Sequence, residues 1–142
     1  MASAFDVAYY FLLLDSQNDG EGLSNLKLQK LCYYAQGFHL AFFNEPLFNE
    51  EIEAWAHGPV IPELYHRFKV FGNSSIHSEG YPIALSHQQG KLIEEVYEVF
   101  GQYSAWKLRN MTHEEPTWAN HEVYADVIPK QELQDYFKTR IH

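Results

Sequence analysis

The chain has 142 residues, enough for one domain whose core closes without disulfides or metals. Apolar residues make up 46% of it and charged residues 20%, a globular balance that excludes a disordered chain. The net charge of −9 disfavours nucleic acid as a direct partner, because Lys and Arg drive affinity for phosphate and the ten basic residues form no stripe.

The single cysteine, Cys32, excludes an intrachain disulfide. No apolar run approaches the length of a membrane span. The opening MASAFD lacks the basic flank and apolar stretch of a leader, so the expected compartment is the cytoplasm. Aromatic residues reach 16%, a supply of rings that suits cores and protein interfaces alike.

In chain order, Ser3 and Asp6 form a capping-box pattern, and a first helix is predicted over residues 5–14. Residues 17–22 are polar and glycine-punctuated, a loop. Leu28, Leu31, Cys32, Ala35, Phe38, His39 and Phe42 then recur at spacings of three and four, one face of a long helix. Ser24 or Asn25 caps its start, Lys27, Gln29, Lys30 and Gln36 fall on other faces, and residues 44–46 end it. Weak alternation through Ile52, Ala54 and Ala56 predicts a short strand, followed by a turn over residues 57–62. Pro62 suits the first position of a helix that stops at Gly72.

Residues 83–85 are a candidate second strand that would pair with the first. Ser86 and Gln89 repeat the capping-box pattern, before a helix carrying Leu92, Val96, Val99 and Phe100. A short helix over residues 104–111, a loop around Pro116, and a last helix from Pro129 with Leu133, Tyr136 and Phe137 inward complete the chain. The predicted fold is mainly α: one domain over residues 1–142, with five or six helices and a minor two-stranded β element.

Catalytic and metal motifs are weak. Cys32 and His39 lie about 10 Å apart along one helix, beyond hydrogen-bond reach, and both sit on its apolar face. The eight histidines match no zinc spacing; His113-Glu114 and His121-Glu122 each lack the second histidine of a metalloprotease motif. The acidic pairs Glu50-Glu51, Glu94-Glu95 and Glu114-Glu115 are adjacent in sequence, which suits solvated faces better than a shared proton. No cofactor, metal or catalytic constellation is expected. Two segments concentrate aromatics, histidine and proline: EAWAHGPVIP (53–62) and YSAWKLRNMTHEEPTW (103–118). Such rigid segments carry function or lock the fold.

The blocks LSNLKLQKLCYYAQG (23–37), PLF (46–48), EIEAW (51–55), HGPVIP (57–62) and the later segment with Thr112, His113, Glu114, Pro116 and Trp118 resemble, in order, the Panacea domain family. That family is also described as SocA-like antitoxins or phage-associated GepA-like proteins. His57 stands where an aromatic or basic residue is common, and Thr117 separates Pro116 from Trp118 where Pro-Trp is common. The resemblance implies an antitoxin that neutralises a cognate protein toxin by direct binding, with the toxin encoded by the adjacent gene. For some members it implies delivery to a protease; a chaperone is a further candidate partner. Nucleic acid and membrane are not expected partners.

Two other classes stand beside this reading: a scaffold or regulatory protein that binds something other than a toxin, and a small Cys- or His-dependent enzyme. Lys27, Lys30, Tyr33, Trp55, His57, Pro59 and Tyr65 are the candidate partner-binding residues. The competing reading buries Tyr33 and Trp55. His113, Glu114 and Trp118 belong to the later motif without an assigned role.

Overall fold

A computed structural model describes residues 1–78 and 80–141. Helix α1 (Ala4–Gln17) starts at the predicted capping box: Ser3 Oγ accepts the Asp6 N–H, and Asp6 accepts the Ser3 N–H in return. Helix α2 (Asn25–Phe43) is capped by Ser24 on the Lys27 N–H and stopped by Asn44 at φ 59°. Strands β1 (Glu53–Trp55) and β2 (Gly58–Val60) form an antiparallel hairpin, with Glu53 opposite Val60 and Trp55 opposite Gly58. Helix α3 (Pro62–Phe68) begins on its proline and tightens into a 3₁₀ turn, Lys69–Phe71, before Gly72 at φ 57°. Helix α4 (His87–Phe100) has the second capping box, on Ser86 and Gln89. Ser104 caps α5 (Ala105–His113). Then come α6 (Pro116–Ala119), a 3₁₀ turn over Glu122–Tyr124, and α7 (Lys130–Lys138).

The mainly α class with a two-stranded sheet holds, and two details change. Seven α-helices are present among the described residues. The extra one is α6: Pro116, read as a loop residue, starts a single turn because its missing N–H would be unpaired there anyway. The partner of the first strand is not residues 83–85 but β2, inside the expected turn. Proline argues against a strand, yet Pro59 is accommodated. Its opposite number, Ala54, donates its N–H the other way, to Asp126 O at 3.0 Å. The Ala54–Pro59 pair is therefore of the non-hydrogen-bonded kind, and the ladder loses nothing.

Helix α2 is the centre, packed by α1, α3, α4, α5, α7 and β2. It is buried almost all round, and not on one face as the periodicity implies. Phe42 of the predicted stripe is exposed, whereas Gln29, Lys30 and Gln36 are buried. The cause lies in the irregular chain after α2, whose buried backbone groups need partners. Gln36 accepts the Leu47 N–H at 2.7 Å and donates to Phe48 O at 2.7 Å. Gln29 accepts the Ile61 N–H at 2.8 Å, and Lys30 donates to Pro59 O at 3.0 Å. Gly37 admits α7: a Cβ there would lie 2.3 Å from the Phe137 ring.

Candidate functional site

The hairpin, α3 and the start of α5 enclose a cleft of about 410 Å³. Trp55, His57, Tyr65, Lys69 and Trp106 line it, above Gln29 of α2. The Trp55 and Tyr65 rings meet edge to face with centroids 5.0 Å apart. The Trp55 indole N–H is held by Glu53 Oε1 at 2.8 Å. Arg109 does not line the cleft itself but braces two residues that do: it lies over the Trp106 ring at 4.3 Å and donates from Nε to His57 Nδ1 at 3.2 Å. Trp106 is 56% exposed, so a large ring faces solvent in a fixed setting.

Three of the sequence candidates, Trp55, His57 and Tyr65, thus share this cleft. The others do not. Lys27 is half-buried and donates to Gly101 O at 2.7 Å, where α4 ends. Lys30, Tyr33 and Pro59 are buried, so none of them presents a surface to a partner. The sequence places Lys30 off the apolar stripe, but the stripe is not the whole buried surface of α2. Glu114 is exposed, while His113 and Trp118 stack at 3.9 Å with nearly parallel planes. The Trp118 indole N–H is fixed on Trp55 O at 2.7 Å, which ties the later motif to the hairpin.

Behind the hairpin lies an under-bonded basic cluster. Lys30 is fully buried with Pro59 O as its acceptor, and burial, aided by Arg109, pushes its amine down to about 7. Gly58 permits the approach: its φ is 109°, and a Cβ would meet Lys30 Cε at 2.7 Å and Thr112 Oγ1 at 2.8 Å. His113 Nε2 is buried without a partner. Desolvation first, then Arg109, holds the His113 imidazole below its usual range, against a backbone bond to Ala56.

One turn along α2 the opposite arrangement occurs. Glu115 Oε1 accepts Tyr33 Oη at 2.5 Å, and Oε2 accepts Tyr34 Oη at 2.8 Å and Arg140 Nη1 at 3.0 Å. Tyr33 has given its only proton to Glu115, so Thr117 Oγ1, 2.7 Å away, donates to it. Burial pushes the Glu115 carboxyl up, and the two hydroxyls and the guanidinium oppose that. The solvated-face reading of the acidic pairs is corrected here: Glu115 is buried, Glu94 accepts Tyr10 Oη, and Glu50 accepts the Ala4 N–H. One of each pair is engaged by a donor that the sequence places far away. Glu115, Arg140, Trp106 and Arg109 were not among the candidates; the clue to Trp106 is its place in the aromatic segment 103–118.

Cys32 is fully buried, and desolvation pushes its thiol well above the usual range, the state of a packing residue and not of a nucleophile. Among the described residues no three His, Cys, Asp or Glu side chains gather as a metal site. Among them, too, no helix is long and apolar enough to cross a membrane.

No solved structure matches the chain. The Antitoxin SocA of Caulobacter vibrioides (strain NA1000 / CB15N) is 48% identical over 50 residues, which is 35% of this chain and 27% of that protein. The family described as Antitoxin SocA-like, Panacea domain, matches residues 28–119, from the second turn of α2 through α6, and so includes the hairpin, the cleft lining apart from Asn25 and Leu26, and the two buried polar clusters apart from Arg140. The chain belongs to this SocA-like, Panacea-domain antitoxin family.

Proposed function

We propose that the chain is a non-catalytic, cytoplasmic antitoxin that neutralises a protein toxin by direct contact, and that residues 1–142 act as a single Panacea domain. The family and the relative named Antitoxin SocA support the antitoxin role. The observation that carries direct contact is the cleft, where Trp55, Tyr65 and Trp106 stand in fixed orientations at the surface. Rings already held in place lose little freedom when a partner covers them, and Trp and Tyr dominate the energetics of protein interfaces.

The test is co-expression with the product of the adjacent gene. Growth should stop with that product alone and resume with this protein. Trp106→Ala and Tyr65→Ala should each abolish rescue while thermal unfolding stays within about 0.5 kcal/mol of wild type, as for exposed side chains. A harmless neighbour removes the toxin–antitoxin reading. Rescue by both variants removes the cleft from it. Where the protein also delivers the toxin to a protease, the toxin's half-life shortens in its presence in a protease-proficient strain; masking alone leaves the half-life unchanged.

A further inference from the structure

We infer that the cleft between the hairpin and α5 receives a partner segment carrying a large apolar side chain beside a carboxylate. This deepens the toxin-binding reading and rests on it. The chain is acidic overall, at −9, yet no Asp or Glu lines the cleft. Its ionisable lining groups are His57, Tyr65 and Lys69. The contrast with the cleft along the start of α1 is sharp: that one is lined by Asp6, Glu50, Glu51, Glu53 and Glu63.

Arg109 strengthens the asymmetry. Among the described residues its guanidinium has no carboxylate partner; it donates to His57 Nδ1 and to Asn110 Oδ1 and rests on the Trp106 ring. Lys30, close behind Gly58, likewise bonds a backbone carbonyl and no acid. Glu53 is engaged on the Trp55 indole. A carboxylate arriving over Trp106 would therefore find a guanidinium held in place but unpaired, the donor that best matches its geometry. The apolar side chain of the same segment would lie between the Trp55–Tyr65 pair and Trp106. The long-range field of an acidic protein still favours a partner of net positive charge, so the expected partner is basic as a whole and acidic at the contact.

The test uses the full chain and an array of synthetic dodecapeptides with a central Phe or Leu, flanked by Asp, Asn or Lys, followed by anisotropy titration of the strongest members. Asp-flanked peptides should bind about tenfold tighter than their Lys counterparts at physiological salt, where the long-range field of the acidic chain is screened and the local guanidinium contact decides. The paired variant Arg109→Gln, Lys69→Gln should remove most of that preference while apolar affinity remains. Binding of none of the peptides, equal or tighter binding of the Lys series, or an unchanged preference in the paired variant overturns the inference. A further overturning result is concentration-dependent self-association that Glu122→Gln, Asp126→Asn abolishes. The exposed Val123 and Tyr124 lie between those acids, and a second copy would then be the occupant. The two readings fail separately. Rescue of growth without an Asp preference leaves the antitoxin and removes the cleft chemistry; an Asp preference beside a harmless neighbour does the reverse.

Discussion

Two turns of α2 bury opposite charges and treat them differently. At Tyr33 and Tyr34 the helix meets Glu115, whose two oxygens accept three donors. At Lys30 it presents an amine with one carbonyl, near an imidazole nitrogen that has no partner. A buried carboxylate in a full set of donors fixes α6 and Arg140 against α2, because removing the shared acceptor strands all three donors. A buried amine with too few acceptors stabilises little and sheds its proton instead. The saturated cluster marks where the fold is locked; the under-bonded one lies behind the cleft, where the hairpin and α5 meet.

Breaking the saturated cluster should have the largest effect. Glu115→Ala leaves two buried hydroxyls and a guanidinium without their acceptor and should cost about 3–5 kcal/mol in denaturant unfolding. Tyr34→Phe, which removes a donor and leaves the carboxylate its other partners, should cost only about 1 kcal/mol. If the two variants cost the same, Glu115 is not the hub.

Gly58→Ala tests the geometry of the other cluster. The substitution forces a Cβ against Lys30 and Thr112 at a φ that L-residues rarely adopt, and should cost about 1–3 kcal/mol by the same measurement. A neutral result would show that the hairpin turn is free to re-form.

The last test concerns Lys30 itself, and its sign is fixed by linkage. The amine falls from its usual 10.5 to about 7 on folding, so between those values the unfolded chain holds the extra proton. Stability should therefore rise with pH across that window, by about 1.4 kcal/mol per unit where both conditions hold. Above pH 10 the raised hydroxyls of Tyr10, Tyr33, Tyr34 and Tyr97 reverse the trend, since the unfolded chain then ionises first. Lys30→Met should flatten the rise between about pH 7.5 and 9.5. An unchanged slope would place the titrating group elsewhere.

The same comparison separates what was legible in the sequence from what was not. Ser3 with Asp6, Ser86 with Gln89, and Pro62 with Gly72 act on neighbouring residues, so their patterns alone locate the helix ends. The turn and strand around Pro59 resisted because its tolerance depends on which way Ala54 points, and Asp126 decides that. Lys30 and Glu115 resisted for a related reason. Periodicity reports the apolar stripe, whereas a buried polar group is defined by partners 29 and 82 residues away. Trp55, His57 and Tyr65 were found because they flank one turn; Trp106, the most exposed ring of the cleft, joins them only through the fold.

Docking in the cleft is tested most directly by the three tryptophan indole N–H signals in a ¹⁵N–¹H correlation spectrum of the labelled protein. Addition of the neighbouring gene's product should shift or broaden the Trp55 and Trp106 signals, and Trp106→Ala should weaken the complex without unfolding the chain. A stable complex that leaves both indole signals where they were would contradict docking there.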